Sequence, residues 1–447
     1  MDNYCNYQGE VAMITQHVWM FTSGFEAFRR ELYGTKTIVS LTHLGTRAFE
    51  EIAGEVVQTC AFVVDKQFVD GFKGSYVRLV NYPNAYEKEK QFFIKSNTYN
   101  NTSNNFLSIP GNPVCYWFSQ RVISVFENNP LVGDVSNTRQ GLKTSDDKRF
   151  VRLFFEVDDS KVAKDIRSLE EASDSGKKWF WLNKGGQMKW YGNNVFLINW
   201  EDDGKEVKDY ATQVAGSYSK NITAIDAYFK HCISWPQISL SHPSFRYMPD
   251  GYIFASAGPS LFINDERQKW YMLGLLNSCV TQSILDAINP TINFGVSDIL
   301  KVPYIYDETR RDEVDELVKR AIEIATESWN SYEISWDFKK HPLIRDTKSI
   351  EEAYLQWEAV CDDRFNELKE IECRLNKIFC EIYGLEEELD TAVDESSINV
   401  TRANKELDVK GLISYAVGCM FGRYSLDEDG VIYAGGKWNN QKYRTYV

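Results

Sequence analysis

Val11-Ala12-Met13-Ile14-Thr15, opening just after Gly9, and the stretch Phe21 to Leu32 that follows it decide the reading of the fold. The first five residues form a short apolar strand. The second stretch places Phe25, Phe28 and Leu32 at i, i+3 and i+7, the spacing of one helix face. Ile38-Val39-Ser40-Leu41 and Val56 to Val64 then read as two more strands, rich in β-branched residues. Strand, helix, strand, strand is an α/β order. Three strands and one helix cannot cover both faces of a parallel sheet, so residues 1–66 are expected to be the tail of an α/β domain.

Downstream the character changes twice. Residues 67–130 read as a connector, because Ser96 to Asn105 is a polar, turn-rich run. Residues 131–306 are rich in glycine and aromatics, with strand-like pieces at Phe150 to Val157, Val195 to Trp200 and Tyr252 to Ala255. They predict a mixed α+β domain. Tyr271 to Ile288 predicts a helix, with Leu273, Leu276, Val280 and Ile284 in register and Pro290 just beyond. Residues 307–395 predict a helical, coiled-coil-like spacer. Val314, Leu317, Val318, Ala321 and Ile322 mark one stripe and Leu368, Ile371, Leu375, Ile378 and Phe379 another, with the acidic residues facing solvent. Gly384 is a natural C-cap. Residues 396–447 read as the start of a further C-terminal region.

The chain has 447 residues and a formal net charge of −14. That charge alone would exclude a nucleic-acid binder, since phosphate contacts need Lys and Arg. The charge is segregated, however. Asp307 to Glu395 holds 26 acidic and 12 basic residues and carries the whole excess; the remainder sums to zero. Within 131–306 the basic residues bunch: Arg139, Lys143, Lys148, Arg149 and Arg152, then Lys177, Lys178, Lys184 and Lys189. The second bunch is interleaved with aromatics, as in Lys189-Trp190-Tyr191. Basic residues beside aromatics suit phosphate and base contacts. The same pattern describes solvated lysines above an aromatic core, and both readings stay open.

The nine cysteines are widely spaced, with no Cys-x-x-Cys pair, and the five histidines are scattered. Disulfide scaffolds and structural zinc therefore find little support. No apolar run reaches the ~18–20 residues of a membrane-spanning helix. Residues 1–10 carry no signal-peptide pattern, so a cytoplasmic protein with no membrane partner is expected.

Several strings, taken in order, resemble one family. Gly9 to Thr15 with Trp19-Met20-Phe21 resembles the later strands of amino-group DNA methyltransferases. His43-Leu44-Gly45, Ala48-Phe49 and Gly54 to Thr59 resemble the following β-hairpin in the large adenine-specific methyltransferases of BREX and phage-growth-limitation defence systems (PglX-like). Lys184-Gly185-Gly186, Lys189-Trp190-Tyr191-Gly192-Asn193, Ser244-Phe245-Arg246-Tyr247 and Pro290 to Phe294 resemble that family's target-recognition region. Ile413 to Leu426 resembles a segment beyond its helical spacer. The family's glycine-containing cofactor loop and its Asn/Asp-Pro-Pro-Tyr/Phe motif are not in this sequence; none of Asn112-Pro113, Asn129-Pro130 and Asn289-Pro290 continues that way.

The resemblance implies a Rossmann-like tail, a DNA target-recognition domain and a spacer. It implies an S-adenosylmethionine-dependent transfer of methyl to adenine N6 on a flipped base in the complete enzyme. For this chain it implies double-stranded DNA as partner, no bound cofactor and no methylation, with a separate catalytic chain or other defence proteins as further partners. Phe49 would touch the flipped base. Arg139, Lys143, Lys148, Arg152, Lys184, Lys189 and Arg246 would grip phosphate or read guanine edges, and Gly185 and Gly186 would admit close backbone approach. Trp190 and Tyr191 would either pack or contact bases. Two alternatives stand beside this: a stand-alone DNA-binding specificity module, and a non-catalytic interaction protein from an interrupted gene.

Overall fold

A computed structural model describes residues 6, 9–49 and 57–445. The strand start expected at Val56 and the string Gly54-Glu55-Val56 lie outside the described residues. The chain divides into two compact units. The first is Met1–Leu131 with Ser283–Thr291 and Lys301–Ile305; the second is Val132–Gln282 with Ile292–Leu300 and Tyr306–Val447.

The first unit is built on one five-stranded mixed sheet. β1 (Glu10–Gln16), α1 (Glu26–Thr35), β2 (Thr37–Gly45) and β3 (Thr59–Asp65) follow the expected order. β3 runs antiparallel between β1 and β2, so β1 and β2 are parallel strands joined by α1. β4 (Lys73–Arg78) pairs parallel to β2, and β5 (Thr98–Thr102) antiparallel to β4. Thus the run Ser96 to Asn105, expected to be a connector, supplies the edge strand β5 and the start of a short helix. Tyr99 pairs with Tyr76 across the sheet and packs against the core. The β5 strand is half-buried polar chain, and the apolar residues that anchor it lie elsewhere, at Tyr76, Phe106, Val114 and Tyr116. Stretches divided at 66/67 by sequence character are therefore continuous in the fold. Arg29 of α1 is fully buried and donates to the carbonyls of Trp19 and Thr22, both at 2.8 Å, and of Asn112 at 3.0 Å.

The second unit carries two four-stranded sheets. One has the order β11 (Arg246–Met248), β10 (Cys232–Ser234), β13 (Ser260–Ile263), β6 (Ser136–Arg139), all antiparallel. The other has the order β12 (Tyr252–Phe254), β8 (Trp179–Asn183), β9 (Phe196–Asn199), β7 (Val151–Leu153), with β12 and β8 parallel. Phe180, Leu182, Ile198, Trp200, Phe229 and Phe254 build the core around the second sheet.

The expected helix over 271–288 is two helices, α2 (Lys269–Leu276) and α3 (Cys279–Ile288). They break at Asn277, whose side chain bonds both Phe245 N–H and Phe245 C=O. The long helices appear as α4 (Arg311–Trp329) and α5 (Ile350–Tyr383). Ser349 caps α5 by accepting from Glu352 N–H at 3.1 Å, and Gly384 ends it in the left-handed conformation. Gly274 of α2 lets Val314 and Val318 of α4 and Phe379 of α5 approach its backbone. The spacer helices thus share a core with the preceding region across 306/307. Their acids are not simply solvated either. Glu367 takes Arg320 at 2.7 Å, Glu327 takes Arg364, and Glu372 is buried.

Candidate nucleic-acid interface

The predicted basic and glycine residues of 131–306 lie in the second unit: Lys143 follows β6, Lys184, Gly185 and Gly186 follow β8, and Arg139, Arg152 and Arg246 lie in β6, β7 and β11. Backbone bonds stitch the loops after β6, β8 and β12 together. Leu142 N–H donates to Phe254 O at 3.0 Å, Ser256 N–H to Leu142 O at 2.8 Å, and Ala255 N–H to Asn183 O at 2.8 Å. A fourth segment joins when Gln237 N–H donates to Ala257 O at 3.0 Å. Only glycine fits at 141, where a Cβ would collide with the Phe254 carbonyl. Between the loops lies a cleft of about 360 Å³ lined by Lys143, Thr144, Asp146, Asp147, Lys184 and Ser256, among others.

The Gly185-Gly186 turn is the centre of this arrangement. Both residues have positive φ, 76° and 119°, and a Cβ on either would strike Ala257 O or the Asn193 amide. Asn183 at the end of β8 holds the turn. Its Oδ1 accepts from Gly185 N–H at 3.0 Å, and its Nδ2 donates to Ser234 Oγ at 2.7 Å. Arg246 grips the turn from the interior, donating to Gly185 O at 2.6 Å, Gly186 O at 2.8 Å and Asn183 Oδ1 at 2.7 Å. Burial lowers the Arg246 pKa to about 10, which leaves it charged at neutral pH.

Arg246 is therefore not available to phosphate or guanine, contrary to expectation: it is fully buried. Lys189 and Trp190 are also interior. Lys189 Nζ pairs with Glu372 at 2.7 Å, and Trp190 Nε1 donates to the other oxygen of the same carboxylate at 2.8 Å. Trp190 sits at φ 66°, unusual for an aromatic residue, and its backbone pairs with β11 through Phe245 O and Tyr247 N–H. Tyr191 is half-buried, and burial raises its phenol. Lys189 and Trp190 thus tie the segment after β8 to α5. The burial of Glu372 was legible in the sequence: it stands four residues after Leu368, three before Leu375 and seven before Phe379, on the apolar stripe itself.

The remaining cations are on the surface. Lys143 and Lys148 are exposed; Arg139 and Arg152 are half-buried. Arg152 donates to Lys148 O at 2.7 Å and lies over the Trp179 ring. Lys184 reaches the cleft but is paired with Asp147. Burial alone would raise the Asp147 carboxyl, yet its bonds to Lys184 and Thr144 outweigh that and hold it below the usual range. In the first unit, Phe49 stands 40% exposed on the loop after β2. In the same unit, at the carboxyl ends of β1 and β2, His17 Nδ1 bonds His43 Nε2 at 2.8 Å, and His43 Nδ1 bonds Tyr116 at 3.1 Å.

The adenine-specific methyltransferase PglX of Lacticaseibacillus casei (strain Zhang) is 38% identical over 98% of the chain. The adenine-specific methyltransferase BrxX of Escherichia coli O9:H4 (strain HS) is 33% identical over 95% of it. The chain is a relative of PglX and BrxX. It spans 37% and 35% of their respective lengths. No protein-family model matches it. Among solved structures, the Type IIL restriction-modification enzyme MmeI in complex with DNA matches 92% of this PglX-like chain and half of its own, with a TM-score of 0.50 and 12% identity. That likeness is one of fold. Among the described residues, no helix is long and apolar enough to cross a membrane.

Proposed function

We propose that this PglX-like chain is the target-recognition portion of a site-specific adenine-N6 DNA methyltransferase of a phage-defence system, and that alone it binds duplex DNA without methylating it. The observation that carries the reading is the loop cluster around Gly185-Gly186: a turn fixed from behind by Arg246 and Asn183, beside a cleft lined by exposed Lys143 and by Lys184. A rigid backbone turn beside flexible cations suits close approach to a duplex.

The first unit supports a catalytic tail. Parallel β1 and β2 joined by α1 are one crossover of a Rossmann-like sheet. Among the described residues no strand pairs with the outer edge of β1. An apolar groove of about 630 Å³ opens beside it, lined by Val11, Met13, Phe25, Phe28 and Phe62 among others. That edge and groove are where further strands of a catalytic domain would dock. S-adenosylmethionine belongs to the complete enzyme. The residues present do not fit it: His17, His43 and Tyr116 are bonded to one another at the strand ends where a ligand would enter, and the sequence has no cofactor loop.

The test is binding of the 447-residue chain to duplex DNA across a salt series, with methyl transfer assayed in parallel. Salt-dependent binding without methylation is expected; no binding, or methylation by the chain alone, removes the reading.

A further inference from the structure

The front of the loop cluster bears a feature that phosphate contacts do not explain. Three glutamines from three chain segments stand there: Gln140 after β6, Gln187 after the Gly185-Gly186 turn, and Gln237 after β10. Gln140 Nε2 donates to Gln237 Oε1 at 3.3 Å. Gln187 Nε2 donates to Ile238 O at 3.2 Å, and its Oε1 accepts from Ser239 Oγ at 3.2 Å. The bonds to Gln237 and Ile238 lie at the surface, at the long end of the hydrogen-bond range, and exchange readily for other partners, while the Ser239 hydroxyl that holds Gln187 Oε1 is buried.

Beside the amides stands an apolar tip. Leu240 is 92% exposed and Ile238 is 64% exposed. The loop that carries them is held in place: Ser239 N–H donates to Ile292 O at 2.9 Å, Phe294 N–H to Gln237 O at 2.7 Å, and the Trp235 indole to Phe294 O at 3.0 Å. A leucine fixed in water at the end of a braced loop points to a partner that covers it.

Charge selects the partner. The segments 139–143, 184–187, 236–242 and 292–295 contain no Asp or Glu, in a chain with 64 acidic residues; they hold Arg139 and Lys143, beside Lys184, which is paired with Asp147. A polyanion fits this face. In a duplex major groove, adenine presents the N7 acceptor and N6 donor that a glutamine amide matches, and its paired thymine presents a methyl group that suits leucine. One A·T pair thus satisfies both kinds of side chain found here.

Resting on the target-recognition reading, we propose that Gln140, Gln187 and Gln237 with Leu240 form a base-reading tip that selects A·T pairs in the major groove. The amides take the adenine edge and Leu240 takes the thymine methyl.

Selection from randomised duplexes with the full chain tests this, comparing wild type with Gln140→Ala, Gln187→Ala and Leu240→Ser. Wild type should select a motif with defined A·T positions. Each glutamine variant should lose discrimination at one of them by about tenfold or more, with affinity for unrelated duplex within about twofold of wild type. Modified bases on the wild-type chain give a check that needs no variant. 7-Deazaadenine removes the N7 acceptor, and uracil for thymine removes the methyl. Each should weaken binding at a read position, and the matching variant should be insensitive. Unchanged motifs in all variants, or indifference of wild type to both base analogues, overturns the base-reading tip alone. Sequence-independent DNA binding by wild type overturns it too while leaving DNA binding standing. No DNA binding at all would take down the target-recognition reading itself.

Discussion

Lys184 and Lys189 lie five residues apart, both beside glycine or aromatic neighbours, and the fold gives them opposite environments. Lys184 reaches a solvent cleft and pairs with the exposed carboxylate of Asp147. Lys189 is sealed in the second unit against the buried carboxylate of Glu372, which also takes the Trp190 indole. What separates them is the Gly185-Gly186 turn, after which the chain pairs through Trp190 with the backbone of β11. A basic–aromatic pattern therefore marks two different things in this chain: loops that face outward, and a seam that ties the segment after β8 to α5.

Breaking the seam should have the largest effect. Lys189→Ala leaves Glu372 and the Trp190 indole in the interior without their cation. Such a loss costs about 3–5 kcal/mol, read as a fall in the urea midpoint of the second unit. Lys189→Met with Glu372→Leu removes both charges and should recover most of that stability, because the unpaired charge, not the missing bond, dominates. If the single variant unfolds no earlier than wild type, Lys189 is a surface residue and the contrast with Lys184 fails.

Arg246→Ala comes next. It removes the donor from three acceptors at the Gly185-Gly186 turn and should cost about 2–4 kcal/mol. It should also loosen the turn, so amide exchange at 184–187 should quicken. Rescue by Lys is expected to be poor, since one ammonium cannot span three acceptors. A variant with wild-type exchange at the turn would show that Asn183 suffices to hold it.

The first unit extends the contrast to pH. His17 and His43 are buried and bonded to each other. Burial lowers His17 to about 4, and burial with the neighbouring positive charges lowers His43 well below its ordinary value. The unfolded chain takes up protons near pH 6.5, before the folded unit does. Stability is thus at full value above about 6.5 and falls as the pH drops towards 4, by about 1–3 kcal/mol for His17. A His17→Phe, His43→Leu variant should have a flatter stability profile between pH 6.5 and 4; an unchanged slope would place the proton uptake elsewhere.

Much of this was legible in the sequence where periodicity and capping agree. β1 and β2 fall close to their expected places and Gly384 ends α5 as expected, whereas α1 begins at Glu26 and leaves Phe25 and Phe28 of its expected apolar face exposed. β5 was not legible, because its stabilisation comes from the aromatic residues Tyr76 and Tyr116, far along the chain. The family likeness was legible from ordered strings. Individual site roles were less so: Arg246 and Lys189 carry the residue types of a DNA contact, but only the tertiary path of β11 and α5 shows that they point inward. Asn183 and the three glutamines gave no basic or aromatic signal, although an Asn ahead of Lys184-Gly185-Gly186 fits a side chain holding a tight turn.

The smallest effect on stability, and the one that defines the outward side of the comparison, is expected at Lys143 and Lys148. Both are exposed, and neither forms an ion pair among the described residues, so Lys143→Ala with Lys148→Ala should shift stability by no more than about 0.5 kcal/mol. If the two lysines each neutralise a phosphate, the slope of log affinity against log salt should become shallower by about 1.8. Affinity should fall evenly across sequences, since phosphate contacts position the protein without reading bases. Lys189→Ala offers the converse signature. Under conditions where it remains folded, it should leave the salt slope unchanged, because a cation already neutralised by Glu372 releases no counterion from DNA. Two lysine substitutions that alter the slope without altering the urea midpoint, and one that alters the midpoint without altering the slope, would separate surface from seam by measurement; a Lys189→Ala slope change of about one unit would merge them again.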